Sequence, residues 1–310
     1  SSDLCEGLSD EQLQDMLRSE HGGMNEVFVE VAALSGDEKY LVLAERLSHR
    51  AILDPLLAGE NKLTGLHANT QIPKVVGYKK YADATHNEEW DEASGYFWNT
   101  VVDEWTISIG GNSVREHFHP ADDFSDMISS NQGPETCNTY NMLRLTKLLY
   151  LSNPEKKYLD YYERALFNHI LSSEHPTKGG FVYFTPMRPR HYRVYSQPQL
   201  GFWCCVGSGL ENPGKYAEMI YAHDTDDIYV NLFIESELNW EEAGIRLSQE
   251  TQFPYVESTK IMVQPAKTKE FGLHIRRPDW VQEGGFNITV NGKPLKTVQM
   301  EDPYVVLNRK

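Results

Sequence analysis

The feature that most restricts how this chain can fold is a pattern used three times. A turn of small or polar residues leads to an acidic residue and then to an amphipathic helix opened by an aromatic side chain. It occurs at Leu34-Ser-Gly-Asp-Glu-Lys-Tyr40, at Ala84-Thr-His-Asn-Glu-Glu-Trp90 and at Leu151-Ser-Asn-Pro-Glu-Lys-Lys-Tyr158. In the third copy Tyr158, Leu159, Tyr162, Ala165, Leu166, His169 and Ile170 recur at helical spacing, which gives that helix an apolar face. Asp37, Asn87 and Asn153 stand where helix N-caps belong. Further helices are expected at 10–19, 25–34, 70–81 and 137–150. Helices paired in this way, recurring at intervals of about 50 to 70 residues, predict a helical array or toroid.

Two long stretches, 107–134 and 175–207, lack a helical pattern, and connections of that length inside a compact domain usually serve a site. Beyond about residue 222 the period changes. Segments 228–234, 244–247, 260–263, 271–275 and 286–290 read as strands, and the Asn291-Gly292 turn leads towards another at 304–307. The expected organisation is a helical domain over residues 1–221 and an antiparallel β domain over 222–310. Seven or eight helices ahead of the strands are fewer than a closed double ring of twelve, so the helical domain is expected to be part of a toroid. The net charge of −16 repels a phosphate backbone, which excludes nucleic acid as a partner. No apolar run reaches the roughly 18 residues of a membrane span.

Four cysteines, Cys5, Cys137, Cys204 and Cys205, are too few for a disulfide scaffold in 310 residues. Cys204 and Cys205 are adjacent, and neighbours rarely meet the geometry of an unstrained disulfide. They lie in Gly201-Phe-Trp-Cys-Cys-Val-Gly207, a glycine-bounded turn ahead of a helix expected to start near Ser208. Glu135 and Cys137 belong to Gly133-Pro-Glu-Thr-Cys-Asn138, where a loop enters a helix, so both can face one cavity. Three thiolates and a carboxylate are a chemically sensible zinc set. A helix N-terminus and a metal each lower a thiol pKa. The same spacing also suits a closed structural zinc or buried free cysteines.

A second cluster is Gly110-Gly-Asn-Ser-Val-Arg-Glu-His-Phe118, in which Glu116 is followed by His117, His119, Asp122 and Asp123. One carboxylate near a metal-bound thiolate can serve as general acid and base. On the residues alone, a solvated acidic loop is the commoner arrangement. A third stretch, Gly65-Leu-His-Ala-Asn-Thr-Gln71, precedes a helix carrying Pro73 near its first turn. His67 and Asn69 there either bind sugar hydroxyls or cap the helix. Glu20-His-Gly-Gly-Met-Asn-Glu26 is open in the same way, between loop packing and cleft lining.

Together, residues 20–26, 65–71, 110–118, 133–137 and the Cys204-Cys205 pair resemble glycoside hydrolase family 127 and its close relative family 146, the bacterial β-L-arabinofuranosidases. The resemblance implies an (α/α)6 barrel followed by a β-sandwich domain, acting on arabinofuranoside-containing plant glycans. It implies zinc held by Glu135, Cys137, Cys204 and Cys205, with Cys204 as nucleophile, Glu116 as acid/base and His67 in contact with the sugar. The implied mechanism retains configuration through a thioglycosyl-enzyme intermediate. It further implies a barrel that begins before Ser1, and by analogy a bacterial periplasmic or cytoplasmic setting. Arg115 departs from the pattern, standing where many members carry glycine. Competing expectations are a lyase or carboxylate-pair glycosidase on the same toroid, and a glycan-binding protein with a structural zinc.

Overall fold

The computed structural model describes residues 5, 7–268, 270–295 and 299–309, arranged in two compact units. The first comprises Ser1–Pro154 and Arg164–Asn212. Its helices are α1 (Asp10–Met16), α2 (Met24–Ser35), α3 (Lys39–Arg46), α4 (Arg50–Leu57), α5 (Ala68–Thr85), α6 (Glu88–Glu104), α7 (Ser125–Ser129) and α8 (Thr136–Ser152). After α9 (Lys156–Ala165) the chain winds through one π-helical turn at Leu166–Ile170, and α10 (Cys204–Glu211) closes the unit.

Helix α5 is the centre of this layer and packs against α2, α6 and α8. Being covered on several sides, it has no continuous polar face: Ile72, Val75, Val76 and Tyr78 are buried, and so are Lys74 and Lys79. The buried Lys79 ammonium is balanced by Asp83, by Asp91 at 2.8 Å and by the Ser152 hydroxyl at 2.6 Å, as a charge out of water requires. The Glu20–Glu26 stretch serves this packing. Asn25 Nδ2 donates to the Lys74 carbonyl at 3.0 Å, and the buried Glu26 pairs with Lys80 at 2.7 Å and with Arg144.

Asn87 caps α6, accepting the Trp90 N–H at 3.1 Å, and the leading aromatics Trp90 and Tyr158 are buried as the repeat predicts. Asp37 lies one residue ahead of the N-cap of α3 and accepts the Lys39 N–H at 3.1 Å. Asn153 instead ends α8 as its C-cap. Helix α4 has no counterpart among the expected helices, because Pro55 lies inside it, where proline normally interrupts the hydrogen-bond ladder.

The second unit comprises Glu155–Glu163 and Pro213–Lys310. Strands β1 (Tyr221–His223), β2 (Ile228–Val230), β6 (Phe271–Arg276), β10 (Tyr304–Arg309) and β9 (Gln299–Glu301) form one sheet in that order, antiparallel except for β2 beside β6. Strands β3 (Ser236–Trp240), β4 (Ile245–Thr251) and β5 (Thr259–Pro265) form an antiparallel meander. The two sheets share one apolar core of Ile228, Val230, Ile245, Leu247, Leu273 and Ile275. β7 (Thr289–Val290) and β8 (Lys293–Pro294) make a hairpin whose turn residues, Asn291 and Gly292, both have positive φ. The Asn-Gly turn therefore returns to β8 and not directly to the 304 strand. Among the described residues no helix is long and apolar enough to cross a membrane.

Within this unit the fully buried Arg276 meets two carboxylates of α9, Asp160 at 2.5 Å and Glu163 at 3.2 Å, and Trp280 Nε1 donates to Glu163 at 2.8 Å. Removing one partner of a buried ion cluster strands the other charges. We expect Arg276→Met to destabilise the β unit by about 3–5 kcal/mol in denaturant titration. A loss under about 1 kcal/mol would show that Asp160 and Glu163 do not depend on this cation.

Candidate active site

Two helix N-termini and one extended strap bring the four sulfur and carboxylate ligands together. Glu135 is the N-cap of α8, yet its side chain makes no capping bond and is free to turn towards the cysteines. Cys137 follows in the first turn of α8, and Cys204 and Cys205 are the first two residues of α10. The cysteines thus open α10 themselves, ahead of the expected start near Ser208. Strap residues 181–185 fix the α8 end: Thr136 N–H donates to the Tyr183 carbonyl and Thr185 N–H to the Pro134 carbonyl, each at 2.9 Å. Two glycines allow that contact. A Cβ on Gly133 would stand 2.3 Å from the Thr185 carbonyl oxygen, and one on Gly209 would stand 2.4 Å from the Phe181 ring.

The resulting cluster of Glu135, Cys137, Cys204 and Cys205 has every ligand atom within 4.8 Å of the others. Cys137 Sγ lies 3.3 Å from Cys205 Sγ, Cys204 Sγ lies 3.9 Å from Cys205 Sγ, and Cys204 Sγ lies 3.5 Å from Glu135 Oε1. All cysteines of the cluster are free thiols. A tetrahedral zinc with Zn–S bonds of about 2.3 Å sets its sulfurs about 3.8 Å apart, so this spacing suits it. The second oxygen, Glu135 Oε2, is buried with no hydrogen-bond partner among the described residues, which leaves the carboxylate open to a cation. Soft sulfur with one carboxylate is also the donor set that zinc favours.

Electrostatics point the same way. Burial, followed by the charge of Cys204, pushes the Glu135 carboxyl up to about 9. Hydrogen bonding with Cys204 drives the Cys137 thiol up, and hydrogen bonding with Cys137 drives Cys205 up. Cys204 moves down, chiefly through hydrogen bonds from Cys137 and Cys205. Without a cation the crowded set places its negative charge on Cys204, the one sulfur of the three on an exposed residue.

Glu116 sits on a tight hairpin turn between Val114 and His117, whose backbones exchange both hydrogen bonds at 3.0 Å. Both central residues are left-handed, Arg115 at φ 49° and Glu116 at φ 68°, the signature of a type I′ turn that ordinarily takes Asn-Gly. Such conformations cost non-glycine residues roughly 1–2 kcal/mol each. They persist here because the hairpin is held from outside. Ala68 N–H donates to the Glu116 carbonyl at 2.8 Å, and Phe118 N–H donates to Leu66 at 3.0 Å. The requirement for positive φ also explains why a glycine would suit position 115.

Of the two roles open to it, His67 takes the capping one, and its ring also lies near Glu116. It is the N-cap of α5, with Nδ1 accepting the Thr70 N–H at 3.3 Å, while Nε2 lies 3.9 Å from Glu116 Oε2. Asn69 instead accepts from Asn141 at 3.0 Å. Asp122 and Asp123 are exposed, so the solvated-loop expectation holds for them and not for the half-buried Glu116. One residue escaped the sequence reading: Tyr183, on the strap, whose hydroxyl donates to Glu116 Oε1. No local pattern marks it in the long non-helical stretch.

Among solved structures, the chain is similar to a GH127 β-L-arabinofuranosidase from Geobacillus stearothermophilus T6 (21% identity, TM-score 0.72, covering 93% of this chain and 52% of that one). It is also similar to a second GH127 β-arabinofuranosidase (22%, 0.73, 92% and 49%) and to a protein described as a glycoside hydrolase (19%, 0.79, 99% and 56%). By fold the chain is therefore of the α/α-toroid class, mainly helical with an antiparallel β domain. The model of the GH127 β-L-arabinofuranosidase catalytic domain matches residues 2–218, and that of the GH127 middle domain matches 227–310. The chain belongs to glycoside hydrolase family 127. It spans about half the length of the solved structures it resembles. No curated protein matches the sequence.

The Glu135 shift has a testable sign. In metal-free protein this carboxyl keeps its proton up to about pH 9 when folded and loses it near the usual 4.5 when unfolded. Between those values the folded state holds one proton more at Glu135 and one fewer at Cys204, whose thiol is shifted down, so the two contributions oppose each other and the metal-free protein changes little in stability across that window. Metal binding requires the deprotonated ligands, and its contribution grows over the same range. We expect the gap in melting temperature between zinc-loaded and chelator-treated protein to widen from about pH 5.5 to about pH 8.5. A gap independent of pH would remove Glu135 and the thiols as the ligands.

Proposed function

We propose that this protein is a retaining glycosidase that releases β-L-arabinofuranose, or a closely similar furanoside, from plant glycans. Cys204 is the nucleophile and Glu116 the general acid and base, within a catalytic toroid spanning 1–221 ahead of the β domain at 222–310. The observation that carries the reading is the asymmetry of the cluster. Cys137 and Cys205 are buried, whereas Cys204 is exposed and is the thiol pulled towards thiolate. A purely structural zinc site closes over all four ligands, so an accessible sulfur favours the reactive reading.

Glu135, Cys137, Cys204 and Cys205 would hold the zinc, which keeps the sulfur deprotonated at neutral pH and moderates its basicity. In the first displacement the Cys204 sulfur bonds the anomeric carbon as the C1–O bond breaks, and Glu116 gives its proton to the departing oxygen. In the second, Glu116 takes a proton from water as the water oxygen displaces sulfur, which restores the original configuration. His67, hydrogen-bonded through Nδ1 to the α5 backbone, is left with an Nε2–H beside Glu116 that can bind a sugar hydroxyl.

Substrates with different leaving groups separate the two roles. Glu116→Gln should slow hydrolysis of a natural disaccharide by about 10²–10⁴-fold and that of an activated aryl furanoside far less, because only the former needs the proton. Cys204→Ser should abolish turnover of both, since serine would need a deprotonation the site does not provide. Equal losses on both substrates for Glu116→Gln would remove it as the acid, and parent-level turnover by Cys204→Ser would remove the thiolate mechanism.

A further inference from the structure

We infer that Tyr183 is a positioning residue of the reaction centre, one phenol that holds the acid/base Glu116 in line with the nucleophile Cys204. The inference rests on the function proposed above and goes beyond it. The Tyr183 hydroxyl donates to Glu116 Oε1. The residue is anchored at its other end by the metal-ligand segment: its carbonyl accepts the Thr136 N–H at 2.9 Å and lies 3.9 Å from Cys205 Sγ. Its ring is wedged between Phe184, with centroids 4.4 Å apart, and Trp203, edge-on at 6.0 Å. Trp203 is the residue immediately before Cys204. No other side chain among the described hydrogen bonds links the Glu116 hairpin to the strap.

The chemistry gives such a donor work in both displacements. In the resting site it donates to one Glu116 oxygen. When the C1–S bond forms and the C1–O bond breaks, the sulfur loses its negative charge, and Glu116, having passed its proton to the leaving oxygen, gains one. The phenol keeps its own proton throughout, and its hydrogen bond strengthens as Glu116 becomes a carboxylate. When water attacks, Glu116 takes the water proton, the C1–S bond breaks, and the sulfur leaves as a thiolate. Tyr183 thus fixes which Glu116 oxygen remains free to meet the substrate.

Tyr183→Phe keeps the ring and its packing and deletes only the donor. A hydrogen bond to a charged group is worth enough that kcat on a natural disaccharide should fall by about 10- to 100-fold. KM should stay within about 3-fold of the parent, and the loss should be smaller on an activated aryl furanoside, because the acid step carries most of it. The measurement uses the full-length, zinc-loaded protein, with zinc content and melting temperature recorded for each variant. If Tyr183→Phe loses zinc, 3-fluorotyrosine at position 183 replaces it: a changed dependence on leaving group supports the inference, and an unchanged one overturns it. A zinc-loaded Tyr183→Phe within about 2-fold of the parent on both substrates, with Cys204→Ser inactive, overturns the Tyr183 role alone. A parent that turns over no furanoside, or an active Cys204→Ser, instead overturns the glycosidase reading on which it rests.

Discussion

Four atoms that each favour negative charge are held within 4.8 Å of one another, and much of the first unit is arranged around that crowding. Left alone, the set relaxes by protonation: the Glu135 carboxyl rises to about 9, Cys137 and Cys205 stay neutral, and the charge collects on Cys204. A divalent cation removes the repulsion and lets all four ligands ionise together. The backbone contributes to the same end. Helices α8 and α10 begin at the cluster, so the positive ends of their dipoles face it. The strap at 181–185 binds the α8 end through two backbone hydrogen bonds, and at Gly133 and Gly209 any side chain would push strap and helix ends apart.

The acid/base side is held by different means. Glu116 is displayed on a two-residue turn in which neither residue is comfortable, and the neighbouring Ser113 is also left-handed at φ 67°. Strain of this kind survives only where the surroundings over-determine it. Here the N-terminal approach to α5 pairs with the hairpin, Asn138 on α8 donates to Ser113 Oγ at 2.6 Å, and Arg115 N–H donates to the Gln132 carbonyl at 2.9 Å. Because Asn138 follows Cys137 by one residue, the helix that supplies two cluster ligands also anchors the acid/base turn. Both halves of the proposed chemistry therefore depend on the placement of α8.

How much of this was legible in the sequence depended on how local each signal was. The convergence of Glu135, Cys137, Cys204 and Cys205 was legible chiefly from the doubled cysteine in its glycine-bounded turn, whereas the Glu-x-Cys spacing was weak by itself and the family resemblance joined the two. The helix start at Cys204 was not, since Gly201 and Gly207 suggested a longer turn than the one that forms. Glu116 was assigned through family resemblance, because its own acidic surroundings read as a solvated loop, which is what Asp122 and Asp123 are. Tyr183 had no signal: its partner lies 67 residues away, and nothing in its neighbours sets it apart from a core tyrosine. The helical repeat and the change of period near 222 gave the two kinds of secondary structure, while the parallel pairing of β2 with β6 is a contact across more than forty residues that no strand pattern encodes. Asn153 misled for a local reason, since an asparagine between two helices suits the end of one as well as the start of the next.

The claim on which the rest depends is that three sulfurs and one carboxylate of this chain form a zinc site with Cys204 as a ligand. X-ray absorption at the zinc edge on the purified full-length protein tests it most directly. The account predicts one zinc per chain with a first shell of three sulfurs at about 2.3 Å and one oxygen at about 2.0–2.2 Å, falling to two sulfurs in Cys204→Ala. A first shell of nitrogen and oxygen only, or a three-sulfur shell unchanged in Cys204→Ala, would contradict it.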